Sequence, residues 1–217
     1  MRRRVRGILS FLLGCAMTDL PPGLLEKLEK LGVQETPRIL VVSVAAQKMT
    51  LFGGRQPKSE YSISTARKGT GCRANSFQTP LGLHRIREKL GKDVPQGAIF
   101  DSRELTGKIW TPAPAPDAPP ESSAESAVGP VKPSATACDL ITSRILWLEG
   151  LEPGINAGRD AEGALVDSHE RYIYIHGTNH EDEIGKAASH GCIRMLNAEV
   201  ITLFDQVQEA DLVWVQE

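Results

Sequence analysis

Apolar residues fall in short runs through most of the chain, divided by turn residues. Residues 39–44, 49–52 and 61–65 are β-rich runs separated by Ala45-Ala46-Gln47-Lys48 and Gly53-Gly54, a spacing that predicts hairpins in a sandwich or barrel. Further strands are predicted at 82–86, 141–148, 172–176 and 212–215. In the 172–176 run, alternation places Tyr172, Tyr174 and His176 on one face and turns Ile173 and Ile175 to the core. Helical periodicity is confined to two places. Leu24, Leu25, Leu28 and Leu31 form a stripe after Pro21-Pro22, on a helix that would pack on the domain. Val200, Leu203, Phe204 and Val207 share one face of a helix over 198–207, with Asn197 placed to cap it.

Between residues 111 and 137 the pattern gives way to Pro, Ala and Ser, with seven of the fourteen prolines between Pro112 and Pro133. Such a stretch has too little apolar surface to offset the entropy of ordering it, so it reads as a disordered insert within one domain spanning 38–217. The fold class is mainly β, with few short helices. A chain of 217 residues suits one domain with a real core, and 41% hydrophobic with 24% charged residues is an ordinary globular balance. A net charge of −2 gives no electrostatic reason to expect a nucleic-acid partner.

Arg2, Arg3, Arg4 and Arg6 precede an apolar run over residues 8–13, then Gly14 and Cys15. A cationic start before an apolar run too short to span a bilayer is the pattern of a secretory signal over residues 1–14, followed by a tether over 15–37. Leu12-Leu13-Gly14-Cys15 resembles the lipobox of bacterial lipoproteins, which implies acylation of Cys15 and a membrane anchor on an exported, periplasmic or envelope protein. Loss of residues 1–14 removes four arginines and leaves a net charge of −6. In an oxidising compartment Cys72 and Cys138 are either a disulfide or two unrelated thiols.

The chemistry gathers in residues 175–179 and 189–197. A thiol is a good nucleophile only as thiolate, so Cys192 needs a base, and a turn through 177–188 can bring it across the face that carries His176. Gly191 permits a close approach, the amides of Gly191 and Cys192 could meet an oxyanion, and Arg194 offers a fork for a carboxylate of the substrate or of the protein itself. His84, His169 and His180 read as surface or structural, and Glu181-Asp182-Glu183 as a solvated loop. A competing reading from another class is a zinc site of His176, His180, His190 and Cys192, whose nitrogen and sulfur donors suit that ion. A papain-like protease would place its cysteine before its histidine, the reverse of the order here.

His176-Gly177-Thr178-Asn179 with Ile184-Gly185-Lys186, then Ser189-His190-Gly191-Cys192-Ile193-Arg194-Met195 and Asn197, resembles the active-site signature of the L,D-transpeptidase catalytic domain, or YkuD domain. Residues 38–52 are similar to that domain's opening hairpin, and Thr79-Pro80-Leu81-Gly82 to its Thr-Pro-x-Gly strand start. Leu83, where the family often has Phe, and the insert are the departures. The resemblance implies a β-sandwich and acyl transfer on peptidoglycan stem peptides. Cys192 would be the nucleophile, His176 the base, and the Gly177 carbonyl its orienter. His190, Gly191 and Cys192 would line the oxyanion hole, Ser189 and Arg194 would position substrate or loop, and Tyr174 and Tyr172 with Trp110 would wall the groove. An amine acceptor gives a 3→3 cross-link or a wall-attached protein, and water gives carboxypeptidase activity. No metal or organic cofactor is implied, and the enzyme would be a monomer. A wall-binding lipoprotein without activity would keep the same fold.

Overall fold

The structure, a computed structural model, describes residues 20–112 and 139–217. The signal over 1–14, Cys15, Cys138 and nearly all of the 111–137 insert lie outside the described residues.

Among the described residues, ten strands form one hydrogen-bonded sheet. They are β1 (Arg38–Ser43), β2 (Lys48–Gly53), β3 (Gln56–Ser62), β4 (Gly82–Leu90), β5 (Ala98–Asp101), β6 (Glu104–Ile109), β7 (Ile141–Gly150), β8 (Tyr174–Thr178), β9 (Ile193–Met195) and β10 (Leu212–Gln216). Their order is β3-β2-β1-β10-β4-β7-β5-β6, with β8 branching from β7 and carrying β9. Bridges from Ser64 to Arg194 and from Ala66 to Ser189 bring the segment after β3 against β9, so the sheet curls round its own core. The mainly β fold matches the expectation from the sequence, and the layers of the sandwich belong to one continuous sheet.

Inside the curl, Leu40, Leu51, Ile86, Leu148, Ile175 and Ile193 pack with the apolar face of α2 (Asn197–Gln206). β1 is buried on both faces. Leu40 and Val42 enter this core, whereas Ile39 and Val41 meet Leu20, Leu24 and Leu28, the last two on α1 (Pro22–Leu31). Pro22 opens that helix without losing a needed donor, Gly32 closes it in the left-handed region, and Lys27 pins it to the buried Glu152. The end of the tether, from Leu20 onward, is therefore part of the packed body. A third, smaller cluster of Phe100, Ile145, Trp147 and Tyr174 occupies the opposite face of β7 and β8, where Cys192 packs against it.

Candidate active site

β8 and β9 run parallel, with Ile175 opposite Ile193 and His176 opposite Arg194. Alternation sends Ile175, Ile193 and Met195 into the core, and leaves Tyr174, His176, Cys192 and Arg194 on the other face. Cys192 is thus two residues from the level of His176, about 7 Å of strand rise.

The turn before β9 is knotted by buried hydroxyls. Ser189 Oγ donates to the Cys192 carbonyl at 2.6 Å and accepts from the Gly191 N–H at 3.2 Å. Thr79 Oγ1 donates to the Gly191 carbonyl at 2.9 Å and accepts from the Ala66 N–H. Gly191 sits at φ +138°, a conformation that L side chains rarely adopt. Ser189 therefore holds the loop rather than substrate, and the Gly191 amide expected at an oxyanion is already engaged.

Cys192 Sγ donates to the Tyr172 carbonyl at 3.3 Å and accepts from the Tyr174 N–H at 3.4 Å. Burial pushes the thiol up to about 11, against the Tyr174 amide, and Asp139 pushes it further while Arg194 and Arg171 pull it back. His176 is buried, and Nδ1 donates to the Gly177 carbonyl at 2.7 Å, which leaves Nε2 as the basic atom. Burial lowers its pKa, opposed by Asp139 and by the Gly177 bond. Thiol and imidazole are thus a neutral pair at neutral pH, and no hydrogen bond joins them. Gly177 is required by packing, since a Cβ there would lie 2.5 Å from Asn197 Oδ1 and 2.7 Å from the Thr142 carbonyl.

Arg194 is only 2% exposed and binds protein carboxylates on both sides. Its Nε and Nη2 donate to Asp139 Oδ2 at 3.1 and 2.6 Å, and its Nη1 to Glu183 Oε2 at 2.7 Å. Of the two partners weighed for its fork, the structure supplies the protein's own. Two of the acids read as a solvated loop are engaged in the same region: Glu183 holds Arg194, and Glu181 accepts from the Asn197 N–H that begins α2. Asn197 does not cap that helix. It is buried, with its Nδ2 donating to the Thr178 carbonyl and its Oδ1 accepting from Thr142 and Ser143. His190 is exposed and leans on Asp139 Oδ2 at 3.4 Å.

Tyr172 precedes β8 and does not share its alternation. It adopts φ +57°, is 53% exposed, and stands between two cavities that both reach Cys192. One, of about 410 Å³, is lined by Phe77, Glu170, Arg171 and His190. The other, of about 450 Å³, is lined by Ser102, Arg103, Ile141 and Tyr174. Trp110 is buried with its main-chain N–H on the Gly97 carbonyl and lines neither, so the aromatic platform here is Trp147, stacked on His169 and Tyr172. Arg171 was not legible in the sequence. Its guanidinium donates to the carbonyls of Gly71 and Gln78 and to Ser76.

His84 is fully buried between the Gly82 carbonyl and Ser168 Oγ, a structural position. Among the described residues no three His, Cys, Asp or Glu side chains converge to hold a metal, so the four residues of the zinc reading are not gathered into one site. Cys72 is a half-buried free thiol, and the pairing considered for it lies outside the described residues.

A Bacillus subtilis protein, YqjB, which carries an L,D-transpeptidase name, is 48% identical over 50 residues, 23% of this chain and 26% of that protein. Solved structures similar to this one include an L,D-transpeptidase from Mycobacterium smegmatis, at 16% identity and TM-score 0.46, with 83% of this chain and 59% of that chain covered. Another is L,D-transpeptidase 3 from Mycobacterium tuberculosis with a faropenem-derived adduct, at 16% identity and TM-score 0.47, with 83% and 60% covered. The match thus spans about a quarter of the curated relative and about three-fifths of the solved chains. The family model of the YkuD L,D-transpeptidase catalytic domain matches residues 37–215, and the chain belongs to that family.

Proposed function

We propose that this chain is an L,D-transpeptidase that acts on peptidoglycan tetrapeptide stems through a thioester at Cys192. One observation carries the proposal: the Cys192 thiol opens on two cavities, one on each side of Tyr172, with the neutral His176 on the same sheet face. A single nucleophile with two approaches suits a reaction in which a donor and an acceptor visit the same sulfur in turn.

In the first half-reaction the Sγ proton passes to His176 Nε2 as sulfur attacks the carbonyl carbon of the third stem residue. The oxyanion is met by backbone N–H groups of the 190–192 turn, where those of His190 and Cys192 remain once Ser189 has taken that of Gly191. Collapse breaks the C–N bond, the imidazolium returns its proton to the departing amine of D-alanine, and the acyl group stays on sulfur. In the second half-reaction an acceptor amine attacks the thioester, His176 takes the amine's proton, and the thiolate leaves and is reprotonated. A stem amine gives a 3→3 cross-link. The protein-bound proton and the acyl group are both returned, so the cycle needs no cofactor.

The same proposal places the enzyme outside the cytoplasmic membrane, anchored through lipid on Cys15, on the strength of residues 2–15. Incubation with a defined disaccharide-tetrapeptide tests the reaction: cross-linked dimer and free D-alanine are expected from the native protein and neither from Cys192→Ala. Tripeptide alone, unchanged by added amines, would make the protein an L,D-carboxypeptidase.

A further inference from the structure

Three arginines lie near Cys192, and they differ in what their donors do. Arg194 is committed to Asp139 and Glu183, and Arg171 to two carbonyls and Ser76. Arg103, on the turn between β5 and β6, has no carboxylate or carbonyl partner among the described residues. Its guanidinium is nonetheless fixed in place, 4.6 Å from the centre of the Trp147 ring and 5.4 Å from that of Tyr172. Trp147 is itself held by stacking on His169 at 3.9 Å and by the edge of Tyr174 at 5.6 Å.

Aromatic contact uses the face of a guanidinium and leaves its edge donors free. Arg103 borders the 450 Å³ cavity, whose other lining residues among those described are Ser102, Ile141, Tyr172, Tyr174 and Cys192, with no acid among them. The flanking Asp101 and Glu104 line an adjoining surface recess, which Ser102 and Arg103 also border, and they form no ion pair with Arg103. The cavity on the other side of Tyr172 differs, since Glu170 lines it and its own arginine is engaged.

We propose that Arg103 is the specificity-determining residue for the acyl donor, binding a free carboxylate of the stem peptide in the Ser102–Tyr174 cavity while Cys192 attacks. The assignment rests on the transpeptidase reading and adds which cavity takes the donor. It leaves the cavity lined by Glu170 for the acceptor, whose ammonium a carboxylate would attract. The carboxylate on Arg103 is either that of the terminal D-alanine or one carried by an inner residue of the stem, and the chemistry of the contact is the same for both.

Equilibrium binding to the Cys192→Ala protein tests this without turnover. The probes are a tetrapeptide stem with all carboxylates free and the same stem amidated singly at each one. One amide should bind about tenfold or more weakly, the scale of a charge-assisted hydrogen bond, and its position names the carboxylate. Arg103→Gln in the same background should bind the free stem as weakly as that amide and no longer tell the two apart, with Arg103→Lys intermediate. The side chain is exposed, so unchanged thermal unfolding is expected alongside. Equal binding of every stem, or discrimination that survives Arg103→Gln, overturns the proposal. Turnover by the native protein is read separately: cross-linking without discrimination removes Arg103 and keeps the reaction, whereas discrimination without any turnover keeps Arg103 and removes the reaction.

Discussion

The thiol of Cys192 donates to the carbonyl of Tyr172 at 3.3 Å, so the sulfur rests on a main-chain acceptor and not on the imidazole of His176. A proton held in this way, on a thiol that burial already raises to about 11, stays on sulfur at neutral pH in the resting protein.

Alkylation by iodoacetamide, followed at Cys192 by mass spectrometry, should therefore accelerate with pH through about pH 9 without levelling off, above the range of an ordinary thiol. A plateau at or below neutral pH would mean a resting thiolate–imidazolium pair and would contradict the neutral pair described here.

Asp139 raises the pKa of both His176 and Cys192, and it binds Arg194. Asp139→Asn should lower both pKa values, shifting the alkylation profile of Cys192 to lower pH while making His176 a weaker base. Loss of a charge beside the buried Arg194 should cost roughly 1–3 kcal/mol of stability, read by urea unfolding. An unmoved alkylation profile would show that Asp139 acts on the fold alone.

His84 gives the fold a pH dependence of known sign. Burial lowers its pKa from 6.5 to about 4, so between these values the unfolded chain binds the extra proton and stability falls with acidity. The contribution is complete above about pH 6.5 and is lost at up to about 1.4 kcal/mol per pH unit as pH drops toward 4. The buried His176 adds to it with the same sign. Urea midpoints at about pH 7 and pH 5 should differ less for His84→Gln than for the native protein, whatever the variant's own stability; equal differences would remove His84 as the source.

Leu24 and Leu28 carry the contact between α1 and the sheet. Leu24→Ala should destabilise the domain by about 2–5 kcal/mol, as for other fully buried leucines. A loss below about 0.5 kcal/mol, measured by thermal or urea unfolding, would mean that α1 is dispensable.

The run at 61–65 overlaps β3 only at Tyr61 and Ser62, and β5 and β9 were not read as strands, whereas β1, β2, β4, β7, β8 and β10 were legible as apolar runs, and so was the shared face of His176 and Cys192. β6 was not, because its residues are almost all exposed and carry no periodic apolar signal. Arg103 was lost with it, since only the pairing of β5 with β6 aims that turn at Trp147. The partners of Arg194 were also out of reach. Asp139 and Glu183 lie 55 and 11 residues away and meet it through sheet geometry that no local pattern records. Asn197 looked like a helix cap because that is its commonest use beside a helix start, and here the demands of Gly177 and Thr142 prevail.

β10 lies between β1 and β4, parallel to the first and antiparallel to the second. Until residues 212–216 arrive, the two halves of the sheet face each other across a gap, each with an inner edge of unpaired amides and carbonyls. In chain order residue 192 precedes β10 by twenty residues, so the strand that joins the two halves is the last to be made. Synthesis therefore completes the sheet last, when one strand is threaded into its middle. Long-range pairing of this kind is slow compared with local folding, so the sheet stays divided until its last-made strand has found both neighbours.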